Sequence, residues 1–151
     1  MTIDTSAEHL ENAYLPLMQE VHTDPDTPCV SQGDLPRALS EPTKDKSAAQ
    51  WAYERVIMYI QHFESQLDND HEVGISLAGS NAGVIRIEGL GYFAPDIITF
   101  YGINEEGAKT QLVQHVSQLN VTLIASAKQL DQPEPARIGF QFAAALEREK
   151  K

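Results

Sequence analysis

The spacing of apolar side chains changes period near residue 70, and that change is the strongest constraint on the fold. Before it, Ala52, Val56, Tyr59, Ile60, Phe63 and Leu67 recur at helical spacing. Ser47 with Gln50 three residues on fits a capping box, in which the serine satisfies a free first-turn amide and the glutamine reaches back. A helix is predicted over 48–67. Arg55, Gln61, Glu64 and Gln66 fall on its wetter side, and Trp51 and Met58 lie off the main stripe. Asp68-Asn69-Asp70 ends it with turn chemistry. After that point Val73, Ile75 and Leu77 alternate with Gly74, Ser76 and Ala78, the period of a half-buried strand.

The alternating pattern continues. Residues 79–83 read as a turn and 84–88 as a second strand, with Ile85 and Ile87 on one face. Gly89 and Gly91 follow at once, which signals a bulge or sharp bend that curls a sheet. Residues 97–101 form a third strand and 104–107 a hairpin loop. Residues 109–126 suit either a helix through Leu112, Val116, Leu119 and Leu123 or two short strands meeting near 117–120. The β-branched run Val121-Thr122-Leu123-Ile124 favours strands. Ile138, Phe140 and Phe142 alternate as a sixth strand, and 143–151 is a short charged helix or frayed end. The predicted class is α+β: an N-terminal helix followed by a small, strongly bent antiparallel sheet or barrel of five to six strands.

Charge and proline divide the chain. The net charge is −11, and the first 44 residues hold eight acids against two bases. Five of the eight prolines precede residue 46. Residues 1–46 are read as an acidic, partly disordered tail, because such a composition does not repay the entropy of ordering. Residues 13–18 are its one apolar stretch and a candidate docking segment for a protein partner. The folded domain is placed at 47–142. The negative field weighs against polyphosphate backbones and anionic membrane surfaces. No apolar run approaches the roughly 20 residues that span a bilayer. The start lacks the basic and apolar stretches of a signal peptide, so the expected compartment is the cytoplasm. The single cysteine, Cys29, is read as a free surface thiol, with no adjacent base to activate it.

Several blocks carry a resemblance. Trp51-Ala52-Tyr53-Glu54-Arg55, Asp70-His71-Glu72-Val73-Gly74, Gly91-Tyr92, Pro95-Asp96-Ile97-Ile98, Phe100-Tyr101-Gly102 and residues 114–121 come in order, at spacings that resemble an uncharacterised bacterial domain family over about 48–142. That resemblance implies no activity. A weaker one is topological: a helix followed by about five bent strands is the order of Sm-like proteins, including the RNA chaperone Hfq. Residues 111–125 loosely echo the last two strands of Hfq, histidine included. Where Hfq has a basic residue before that histidine, this chain has Gln114. What the likeness implies is a small bent barrel that pairs strand edges into a ring.

Candidate chemistry is sparse. None of the five histidines shows a familiar metal spacing, no cofactor motif is present, and no catalytic set is read. His62 is a boundary residue of the helix. His71 lies between Asp70 and Glu72, which together outline a weak cation site or a plain turn. His115 is the most interesting group, set among the amides Gln111, Gln114, Gln118 and Asn120. Amides and imidazole read hydrogen-bonding ligands without needing charge, and they equally satisfy one another across a subunit boundary. Tyr92 and Phe93, beside glycines, are a stacking platform or core. His115, Gln114, Gln118, Tyr92 and Phe93 are therefore the ligand or interface candidates. The leading expectation is a non-enzymatic, self-associating binding or assembly module. The alternatives are an Sm-like single-stranded RNA binder and an enzyme using His71 or His115 with a nearby acid.

Overall fold

The structure is a computed structural model and describes residues 19–29, 46–77 and 83–149. Of the segment read as a tail, residues 1–18, with the 13–18 stretch, and 30–45 lie outside the described residues, as does most of the 79–83 turn. Helix α1 spans Ala48–Glu64 and is followed by β1 (His71–Leu77), β2 (Val84–Phe93), β3 (Ile97–Ile103) and β4 (Lys109–His115). A 3-10 turn (Val116–Gln118), β5 (Val121–Ala127) and helix α2 (Ile138–Glu149) complete the order. All strand neighbours are antiparallel, in the order β4-β3-β2-β1-β5. The class is α+β. The sheet is open, with β4 and β5 as its edges, so the barrel alternative does not hold.

Strand β2 makes the bend. Its first residues pair with β1, Val84 opposite Ser76 and Ile85 opposite Ile75. From Arg86 onward it pairs with β3. The register slips between Ile87 and Gly89, leaving Glu88 as the extra, exposed residue of a bulge. The bulge has a clear cause. Ile85 and Ile87 must face the core, and so must Leu90, which is three positions further on. A regular strand alternates faces and cannot bury both sets. Turning a large aliphatic side chain out to water costs about 1.5–3 kcal/mol, so one unpaired residue is the cheaper solution. Bulges also bend and twist a strand.

The inner face of the sheet forms the core with α1. Val73, Ile75, Leu77, Ile85, Ile87, Ile98 and Phe100 pack there with Ala52 and Ile60. Ser47 caps α1 as its sequence suggests, with the Gln50 amide donating to Ser47 Oγ at 3.1 Å. The glutamine side chain donates instead to Glu54 Oε1, at 3.2 Å. A second first-turn amide, Ala49, donates to the Pro95 carbonyl at 3.1 Å, tying the β2–β3 turn to the helix start. Tyr59, read as part of the apolar stripe, is 47% exposed. Ile57 is buried on another side, against Ala143 and Leu146.

Those partners belong to α2, so the expected sixth strand is a helix. Ile138, Phe142, Ala143 and Leu146 form a stripe of helical period, and Phe140 faces outward. A Cβ at Gly139 would lie 2.6 Å from the Gln61 backbone, so only glycine allows this close helix approach. Beside it, Phe140 donates its amide to Glu64 Oε1 at 2.6 Å. Glu64 is thus not on a wet face; it is 1% exposed and anchors the start of α2. Its other oxygen, Oε2, is buried without a hydrogen-bond partner.

Burial pushes the Glu64 carboxyl above its ordinary range, against the opposing pull of the Gly139 and Phe140 amides and of Arg137. A raised carboxyl contributes its stability below the ordinary glutamate range and loses it as pH rises through the shifted value. Glu64→Gln keeps an acceptor for Phe140 and removes the charge. Urea midpoints from pH 4 to 7 should show the wild type losing stability relative to this variant as pH rises. A gap that stays constant, or moves the other way, contradicts the assignment.

Candidate functional site

The register of three strands decides which candidate residues meet. Phe93, Ile97 and His115 stand in one row across β2, β3 and β4, and Tyr92, Ile98 and Gln114 in the next. Adjacent rows point to opposite faces. Phe93 and His115 therefore share the outer face. Tyr92 and Gln114 share the inner one, where the Tyr92 ring lies 5.1 Å from that of Tyr53 on α1. Tyr92 and Phe93 do not form one stacking platform, because consecutive strand residues diverge. Gln114 does not flank His115 on a reading surface; its Nε2 is buried without a hydrogen-bond partner. Gln118 is exposed on the 3-10 turn after β4.

His115 sits at the end of β4, not mid-strand. The Ser117 amide donates to its Nδ1 at 3.1 Å, and Ser117 Oγ lies 2.8 Å from the same nitrogen. An amide can only donate, so Nδ1 is the acceptor and Nε2 carries the proton. Nε2 lies 3.3 Å from Asp96 Oδ2. Asp96 is held in place by its own backbone, whose carbonyl accepts from the Val116 amide at 2.7 Å. Serine, histidine and aspartate thus stand in the order of an acyl-transfer relay. The Ser117 amide already occupies the single lone pair of Nδ1, so the ring acts here as the cap of the 3-10 turn.

On the outer face the positions of β2 from Gly89 to Phe93 and those along β3 and β4 carry no carboxylate; Phe93, Ile97, Tyr101 and Val113 are interleaved there with Thr99, Lys109, Gln111 and His115, and Asp96 stands at the rim beside His115. Phe93 is 76% exposed, Val113 58% and Tyr101 43%. Tyr101 lies across the glycines of β2: its Cδ2 is 3.4 Å from where a Gly89 Cβ would be, and its Cε2 3.8 Å from that of Gly91. Gly89 and Gly91 therefore let an aromatic ring lie flat on the sheet. The signal for this face was present in the residue types. Its membership depends on the Glu88 bulge, which decides whether odd or even positions face outward.

A second feature escaped sequence reading. Glu72 is 5% exposed on β1 and does not join His71 in a cation site. Its carboxylate accepts from Gln132 Nε2 at 3.1 Å and the Ala136 amide at 2.8 Å, and pairs with Arg86, whose Nε lies 3.3 Å from Oε1. Arg86 also donates to Gln132 Oε1 at 3.1 Å. The cluster fastens the 128–137 linker over β1 and β2, and its Glu72, Arg86 and Ala136 line a cavity of about 310 Å³ with Glu88, Ile138 and Gln141. Its charges are satisfied by one another, which marks it as structural. His71 turns instead to Asp68, with Nδ1 2.7 Å from Oδ1. That hydrogen bond, then one from the Asp70 amide, holds the Asp68 carboxyl below its ordinary range. Arg137 closes the same corner by donating to the carbonyls of His71 and Asp68.

Residues 43–141 match the model of a family of unknown function, DUF6173. The chain belongs to that family. No curated protein and no solved structure matches it. Among the described residues, no helix is long and apolar enough to cross a membrane.

Glu72→Ala removes the acceptor of two hydrogen bonds and the ion-pair partner of Arg86 at once. Leaving part-buried donors unpaired should cost about 1–3 kcal/mol in urea unfolding, together with faster proteolysis within 128–137. A loss of less than about 0.5 kcal/mol, the range of ordinary surface changes, contradicts a fastening role.

Proposed function

We propose that the domain is a non-enzymatic binding or assembly module that self-associates head to tail, β4 of one copy against β5 of the next. The observation that carries this reading is the state of the two sheet edges. Each is seven residues long and backed along its whole length by a paired neighbour. Natural edges are usually protected by charge, proline, bulges or cover. Here neither edge strand carries a carboxylate or a proline, in a chain with 22 acids. Lys109 and His115 mark only the ends of β4. Like-charge repulsion is therefore weakest where two copies would meet. The exposed Val113, Tyr101 and Phe93 add apolar area beside β4. Head-to-tail pairing satisfies both edges of every subunit inside a closed ring, which an edge-to-same-edge dimer does not.

Val113→Lys blocks the β4 side and Thr122→Lys the β5 side, both at exposed positions. By light scattering, the wild type should assemble and each variant alone should be monomeric. A one-to-one mixture should form a dimer through the two unblocked edges. A wild type that stays monomeric at every workable concentration, or a mixture that stays monomeric, contradicts the reading.

A second reading, an Sm-like single-stranded RNA binder, draws support from Phe93, Tyr101 and His115 lying on one outer face. Aromatic rings on an open sheet face stack bases without regard to sequence. Net charge weighs against it. Anisotropy with a short labelled RNA should show binding that falls steeply with salt and is lost in Phe93→Ala and His115→Ala. No binding at low salt removes this reading.

A further inference from the structure

Ahead of the folded domain, residues 20–29 gather three side chains of different donor chemistry. Glu20, His22 and Cys29 place one ligand atom each within 4.8 Å of one another, and they are the one such group of three among the described residues. His22 Nε2 lies 3.5 Å from Glu20 Oε2. The chain reverses between them. The Thr27 amide donates to the Asp24 carbonyl at 3.1 Å, and the Asp26 amide donates to Asp24 Oδ1 at 3.0 Å. Pro25 and Pro28 restrict the backbone on both arms of that turn. Cys29, seven positions after His22 in sequence, is thereby returned to its side.

We propose that Glu20, His22 and Cys29 form a zinc site, with the fourth position open to water or to a ligand from a partner. The donor set is the basis. Thiolate, imidazole and carboxylate together suit a borderline ion such as Zn²⁺ better than the hard Mg²⁺ or Ca²⁺, which take oxygen alone. Three protein ligands and one exchangeable position is a known zinc arrangement. With zinc–ligand bonds of about 2.0–2.3 Å, tetrahedral donors stand roughly 3.3–3.7 Å apart. The His22–Glu20 pair is already at that spacing, and a closure of about 1 Å, within reach of a side-chain rotation, brings in the sulfur. All three groups are reachable from solvent. Cys29 and His22 are exposed, and the Glu20 side chain retains 19% of its surface. Charge agrees as well: one thiolate and one carboxylate balance the ion, and Asp24 and Asp26 add a negative field that draws cations. Binding releases the Cys29 thiol proton to solvent, while His22 coordinates as the neutral ring.

The test uses the full chain under a phosphine reductant, with Co²⁺ as the optical probe and Zn²⁺ as competitor. Expected are a near-ultraviolet thiolate-to-cobalt band and visible ligand-field absorption that saturate at one ion per chain, both erased by Zn²⁺. Cys29→Ser should remove the charge-transfer band. His22→Ala and Glu20→Gln should each weaken binding by more than tenfold, since even outer-shell changes at metal sites cost about 10–100-fold. Circular dichroism of each variant checks that the downstream domain is intact. Absence of the band, or metal binding of equal strength in Cys29→Ser, overturns the proposal and leaves an adventitious ion on an acidic surface only.

Discussion

The one-residue bulge at Glu88 is the constraint on which the rest of the structure depends. Two sets of apolar residues in β2 sit on opposite parities, and both must reach the core. The bulge reconciles them, and by bending β2 it shares that strand between β1 and β3. Only two residue pairs join β1 to β2, whereas β1–β5 and β3–β4 are paired over seven. The sheet therefore divides into two paired arms that share β2. Among the described residues its far edges, β4 and β5, have no strand on their outer sides. The same parity change sends Phe93 outward beside His115 and sends Tyr92 inward to Tyr53.

Three buried glutamates complete the architecture around this sheet. Glu54 accepts from Lys46 at 2.7 Å and from Gln50, holding the residues that lead into α1. Glu64 takes the start of α2, and Glu72 takes the linker before it. Each carboxylate lies on α1 or β1 and captures donors from a segment outside the sheet core. Burying a carboxylate is costly unless it is hydrogen-bonded. These three are therefore specific fasteners, and losing their donors would leave charge stranded in the interior. Arg137 adds a fourth tie, from the linker to the α1–β1 corner.

Much of the fold was legible because period is a direct readout of burial. The change from helical to alternating spacing located α1, β1 and the strands that follow, and Ser47 marked the start of α1. The first part of α2 reads as a strand because Ile138, Phe140 and Phe142 happen to alternate, which competes with the helical stripe through Phe142 and Leu146; a helix is expected only from residue 143. The buried glutamates were illegible for a different reason. A charged residue beside an apolar stripe reads as wet unless its donor is known, and the donor to Glu64 lies 76 positions away. The candidate site was half legible. Residue types pointed to His115 and Phe93, but the bulge that puts them on one face, and Gln114 and Tyr92 on the other, is a tertiary matter. The Glu20–His22–Cys29 grouping has no familiar spacing and emerges only once the turn at Asp24 is seen.

On the proposed head-to-tail assembly, the exposed edges β4 and β5 are where this domain meets its own copies. Amide hydrogen exchange, followed as a function of protein concentration, tests it most directly. Protection of the outward amides in 109–115 and 121–127 should rise together as concentration increases, while β1 and α1 stay unchanged. Edge-strand protection that is independent of concentration would contradict it.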